Sequence, residues 1–157
     1  MKLPPSVTQE SKMFSGVSTL SLDDKGRLTV PARHRDALMS LCAGRLVLTL
    51  APDGCLLLYP EPNWLPVRDQ MMQLTGSRVA IARVVLGYAE EVEMDKAGRV
   101  SVSRTLRDKA AFDKDVSLVG MGKKFELWDA AKWDAQTAAT MAIPADDLAS
   151  QMEGISL

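Results

Sequence analysis

Two five-residue stretches, Asp23-Asp24-Lys25-Gly26-Arg27 and Asp95-Lys96-Ala97-Gly98-Arg99, each set a carboxylate four residues before a guanidinium, with a glycine just ahead of the arginine. An arginine so presented can lie on a phosphate, or take guanine O6 and N7 through two parallel hydrogen bonds. The aspartate four residues earlier can hold that guanidinium in position or cap the amides of a turn. Cations gather around both stretches. Over residues 23–35, Lys25, Arg27, Arg33 and Arg35 face two carboxylates, and over 95–109, Lys96, Arg99, Arg104, Arg107 and Lys109 face two more. The whole chain carries a net charge of -1 over 157 residues, so the signal for nucleic acid is local, against a neutral to acidic remainder. Charge at a turn is also an ordinary solvated surface, and these residues alone leave that alternative open.

Other chemistries find less support. Asp23 and Asp95 could be imagined as paired carboxylates for acid–base work, but each has its own arginine four residues on, which argues for local pairing. The single histidine, His34, sits between Arg33 and Arg35; neighbouring cations disfavour its charged form, no nucleophile stands beside it, and it reads as a surface or interface residue. No phosphate-binding glycine loop, zinc-type Cys/His spacing or HExxH pattern occurs. Nine scattered methionines read as core filler. Cys42 and Cys55 are too few for a disulfide framework and read as buried thiols of a reducing compartment. No enzymatic activity, cofactor or metal is expected.

The elements that must hold the two motifs come from a duplication. With an offset of 72 residues, Leu28-Thr29-Val30 answers to Val100-Ser101-Val102 and Arg35-Asp36 to Arg107-Asp108. The offset then reads as 69, as a three-residue loop deletion would produce, pairing Val47 with Val116, Leu58 with Leu127, Tyr59 with Trp128 and Trp64 with Trp133. One unit of about 65 to 70 residues is present twice, too few copies for a solenoid. Alternating apolar residues in 16–22, then the glycine-bearing turn, then Leu28-Thr29-Val30 read as a hairpin. Pro31 opens a helix over ARHRDALMSLC. Leu46–Leu50 and Cys55–Tyr59 flank a Pro-Asp-Gly turn, and Asn63 is the expected N-cap of the next helix. In the second copy, Ser103 and Asp129 are the expected helix caps, and the hairpin turns at 120–123. The expected organisation is a disordered leader at 1–12, a first repeat at 13–75, a connecting helix at 76–87, a second repeat at 88–140 and a loose tail at 141–157. Isolated hairpins bury too little to stand alone, so the copies should interleave into one mixed α+β core with pseudo-twofold symmetry. No apolar run reaches the length of a signal core or a membrane span.

The runs Met13-Phe14-Ser15-Gly16, Leu22 to Arg35 and Leu86 to Arg99 resemble the two motifs of the MraZ family, in order and with the duplication, over about residues 13 to 140. The resemblance implies a double AbrB-like, swapped-hairpin fold: two tandem pseudo-symmetric repeats forming one β-barrel-like core with flanking helices. It implies a regulator of transcription, expected to be cytoplasmic and nucleoid-associated; occupancy of a promoter would exclude polymerase, which favours repression. Such a regulator forms ring-shaped homo-oligomers on double-stranded DNA, at short direct repeats before the division and cell-wall gene cluster. Its DNA-contacting motif falls on Asp23, Lys25 and Arg27, with Asp95, Lys96 and Arg99 in the second copy and Arg33 and Arg35 as further family positions. An AbrB-like antidote or scaffold whose basic tips meet an acidic protein is the alternative. RNA binding is disfavoured, because the repeats lack exposed aromatic pairs that stack unpaired bases.

Overall fold

A computed structural model describes residues 13–157; the leader expected at 1–12 lies outside them. The first copy runs β1 (Val17–Ser21), β2 (Arg27–Thr29), α1 (Ala32–Cys42), β3 (Arg45–Leu50), β4 (Leu56–Pro60) and α2 (Glu61–Met72). A single 3-10 turn at Gly76–Arg78 leads into α3 (Val79–Gly87). The second copy repeats the order with β5 (Glu90–Glu93), β6 (Arg99–Ser101), α4 (Arg104–Lys109), β7 (Asp115–Gly120), β8 (Phe125–Asp129) and α5 (Ala130–Met141), followed by α6 (Ala145–Gln151). Ser103 and Asp129 cap α4 and α5 as expected, their side chains accepting from the Leu106 and Lys132 amides.

The strands form an antiparallel sheet of six in the order β1-β7-β8-β4-β3-β5, and a separate two-stranded ribbon, β2-β6. Exchanging the copies maps the order onto itself, which is the pseudo-twofold written in topology. The sheet is open, not barrel-like: β1 and β5 end it on opposite sides and do not pair with each other. The expected β1–β2 hairpin is also corrected. The turn closes locally, with the Asp23 amide donating to the Arg27 carbonyl at 2.9 Å, but its two arms then part. β1 pairs with β7 of the other copy, and β2 with β6 of the other copy. A three-residue strand on its own hairpin would bury almost nothing. Paired across copies, Leu28 faces Val100 and both are fully buried.

The register also resolves the slip between copies. β1 and β5 superimpose at 72 residues, because Leu20 pairs with Val116 where Val92 pairs with Leu46. β3 and β7 superimpose at 70: Val47 faces Tyr59 where Ser117 faces Trp128, so Val47 corresponds to Ser117 and not to Val116. β4 and β8 superimpose at 69. In the second copy the first helix is five residues shorter and its link to the next strand three residues longer, a net loss of two, and one more residue is lost in the following turn, instead of three at one place.

One core serves both copies. Leu28, Leu38, Leu48 and Leu58 pack in the same cluster as Val100, Leu106, Leu118 and Leu127. His34, expected at the surface, is 7% exposed and meets Phe14 and Phe125 edge-on. Its Nε2 accepts from Arg33 Nε at 3.2 Å, and desolvation, then the Arg33 charge, hold it below its ordinary pKa. Both cysteines are free and buried, and burial pushes the Cys55 thiol far up. Asn63 is no cap: α2 opens two residues earlier behind Pro60, and the Asn63 amide donates instead to the Lys123 carbonyl across the copies. The tail expected to be loose contains α6.

Phe125 is fully buried between Phe14 and His34. Phe125→Ala should cost about 3–5 kcal/mol of folding free energy by urea denaturation, the range for deleting a large aromatic from a packed core; a loss below 1 kcal/mol would contradict this packing.

Candidate nucleic-acid interface

The two motif turns are superimposable in their bonding. Asp23 Oδ1 accepts from the amides of Lys25 and Arg27, each at 2.9 Å, while Oδ2 takes Arg27 Nε at 2.8 Å. Asp95 does the same with the amides of Ala97 and Arg99, at 2.9 and 2.8 Å, and with Arg99 Nε at 2.8 Å. These bonds favour the charged carboxylate. The Arg27 amide bond, then its side-chain bond, lowers the Asp23 pKa below the ordinary value, and Arg99 acts likewise on Asp95. Because only Nε is used, the two Nη groups of each guanidinium have no partner among the described residues. They are free to contact an incoming acceptor.

The antiparallel ribbon then brings both arginines to one surface. In β2 and β6, Leu28 and Val100 point into the core, so alternation turns Arg27, Thr29, Arg99 and Ser101 outward. Arg27 stands opposite Ser101 and Arg99 opposite Thr29. Diagonal neighbours of this kind sit about 7–8 Å apart at the backbone. What the sequence suggests as two separate tips is therefore one continuous basic face with hydroxyls between the arginines. Lys25 and Lys96 are exposed in the turns at its ends. They are not equivalents: at the 72-residue offset Lys25 answers to Ala97 and Lys96 to Asp24.

Arg33 and Arg35 are not on this face. Arg33 reaches along β1, its Nη2 donating to Ser18 Oγ at 2.7 Å. Arg35 Nε donates to the Val30 carbonyl at 2.7 Å, and its guanidinium lies against Gly98 of the opposite turn, where any Cβ would overlap it. Arg107, which sequence reasoning counted only as charge, is the counterpart. Its Nε donates to the Val102 carbonyl at 3.1 Å, and a Cβ on Gly26 would fall 2.7 Å from its Cζ. Each copy's helix arginine thus roofs the other copy's turn glycine. The signal was present in the Arg35/Arg107 match at 72 residues. Both glycines also require it on backbone grounds, at φ 74° and 80°. Main-chain bonds complete the crossing: the Val30 amide donates to the Gly98 carbonyl at 2.8 Å and the Val102 amide to the Gly26 carbonyl at 2.9 Å.

Two segments, residues 13–80 and 85–154, each match the family model described as "MraZ protein, putative antitoxin-like". The chain belongs to the MraZ family. Relatives named "Transcriptional regulator MraZ" include that of Chromobacterium violaceum, 51% identical over 148 residues that cover 92% of this chain and the whole of the relative. That of Methylobacillus flagellatus is 47% identical over the same spans, and that of an Acidovorax species is 51% identical over 136 residues, covering 87% and 96%. The two family matches begin just before β1 and just before β5, so MraZ family membership and the internal duplication divide the chain alike.

Two outcomes follow from this geometry. Gly54 also has positive φ, but a Cβ there meets nothing. Gly98→Ala should therefore lose more stability than Gly54→Ala, beyond the ~1–3 kcal/mol of backbone strain that both share; equal losses in thermal melts would contradict the arginine roof. A depressed carboxylate stabilises the turn above its unfolded pKa and ceases to as pH falls through its folded value. In an NMR titration Asp23 should thus protonate below 3.8, and Arg27→Ala should move its midpoint back up.

Proposed function

We propose that this chain is a sequence-specific DNA-binding regulator of transcription whose β2–β6 ribbon enters the major groove of double-stranded DNA. The observation that carries the reading is the convergence of Arg27 and Arg99, each held by its own aspartate, on the outer face of one two-stranded ribbon. The major groove admits such a ribbon, and guanine presents O6 and N7 there to an arginine. Arg27 and Arg99 are the base-contacting groups of this scheme, Asp23 and Asp95 orient them, and Lys25 and Lys96 meet the flanking phosphates. Arg35 and Arg107 support the turns from behind, and Arg33 lies off this face along β1. The relatives' shared name as regulators of transcription supports the same reading.

One ribbon touches too few bases and phosphates to hold DNA tightly at cellular salt. The scheme therefore includes a swapped-hairpin protomer in a ring-shaped homo-oligomer in the cytoplasm, on the nucleoid, with several ribbons engaging successive short direct repeats at raised effective concentration. Occupancy of a promoter ahead of the division and cell-wall genes would exclude polymerase, which favours repression.

Both arginines have the same partners and share one face, so geometry gives no ground for ranking the first above the second. In a gel shift on DNA from upstream of the gene, Arg27→Ala and Arg99→Ala should each weaken binding at least tenfold, about 1.4 kcal/mol or more, while both variants still fold and melt cooperatively. Lys25→Ala should reduce the salt slope by about 1 while leaving sequence preference in place. Retention of the wild-type shift by both arginine variants would sink the ribbon reading. The family description as antitoxin-like favours one rival, an antidote whose basic face meets an acidic protein. A stoichiometric protein partner that co-purifies regardless of added DNA would select it.

A further inference from the structure

The pseudo-twofold is broken in one place, and the break leaves two unmatched surfaces. In the first copy α3 folds back over α2 and β3, where Val85 covers Trp64 and the Val85 carbonyl accepts from buried Thr49. In the second copy α5 takes the place of α2, and α6 follows as α3 does in the first, yet α6 makes no extensive contact with any element. Its leucine is uncovered, Leu148 being 42% exposed, and past the helix end at Gln151 and the positive-φ turn at Gly154, Ile155 is 58% exposed. At the other end of the chain's symmetry, α2 and α3 leave an open apolar groove of about 470 Å3 lined by Met71, Met72, Leu74, Val79, Ala82 and Leu86. Met72 is 64% exposed there.

Charge matches the two. Residues 142–157 carry Asp146, Asp147 and Glu153 and no cation. Arg83 lines the groove and Arg78 stands at the start of α3, and neither forms an ion pair among the described residues. Only Ala142, Ile143 and Pro144 join α5 to α6, a tether of about 10 Å at full extension. That tether keeps α6 beside α5, while the groove belongs to the helices of the other copy. We infer that α6 and the residues that follow it dock in the α2–α3 groove of a second copy of this chain, Leu148 and Ile155 among the groove methionines and the acidic residues against Arg78 and Arg83. Arm and groove are different surfaces, so the contact is head-to-tail and propagates until it closes into a ring or runs on. This deepens the multivalent assembly proposed above by naming its joint.

The test uses the full chain with Met72→Asp, which spoils the groove, and Leu148→Asp, which spoils the arm. Both side chains are exposed and lie outside the buried core, and unchanged thermal melts confirm that both variants fold. By light scattering after size exclusion at micromolar concentration, the wild type should be larger than one chain. Each variant alone should self-associate at least tenfold more weakly and run as a single chain. Mixed, the two should form a one-to-one dimer and nothing larger, because one sound arm then meets one sound groove. A monomeric wild type, a variant as large as the wild type, or a mixture that stays monomeric would overturn the inference. Gel shifts with the arginine variants read the DNA contact separately, so assembly without DNA retention sinks that reading alone.

Discussion

Everything on the basic face depends on the crossing of two short strands between copies. Val30 donates to the carbonyl of Gly98 and Val102 to that of Gly26, so each ribbon strand ends on the glycine that bends the other copy's turn. Neither turn can be placed without the other. Leu28 and Val100 go to full burial together on the inner side of that ribbon, and the outward set follows from alternation alone. The two roofing arginines fill the room that the absent Cβ atoms leave, which makes the glycines a packing requirement as well as a backbone one.

The electrostatics of the face rest on how little of each arginine the aspartate consumes. An aspartate that gripped both Nη groups would neutralise the guanidinium and hide it. Binding through Nε alone limits the side chain's freedom while keeping the donor pair outward, so much of the ordering entropy is already spent before any ligand arrives. Over residues 23–29 and 95–101 four cations stand against three carboxylates, so the outward guanidinium donors, and not a large net charge, give the face its character.

Much of this was legible in the sequence, for physical reasons that differ residue by residue. The 72-residue offset is visible because turn glycines, the aspartates that cap them and the arginines that pair with those aspartates tolerate few replacements. Ser103 and Asp129 were legible as caps because their task is local. Strand partners were not. A tight turn predicts that the chain reverses, but β1 and β2 leave it for different sheets, and that choice depends on burial across 70 or more residues. β3 and β7 are buried on both faces, and a continuous apolar run carries no register, which is why the repeat was misaligned there by one residue. Arg33 and Arg35 looked like further surface cations because sequence shows charge and not reach. Their long stems take them to Ser18 and to Gly98 instead. His34 passed for a surface residue for the same reason: its neighbour Arg33 is exposed, while His34 itself turns into an aromatic pocket.

An antiparallel ribbon with a twofold presents the same face when turned end for end, and so carries no sense of direction. At the tips the symmetry fails by two side chains: Asp24 and Lys25 at one end, Lys96 and Ala97 at the other. The first pair sums to zero and the second to one positive charge. The ribbon therefore has a vector along its length, a single unit of charge in size.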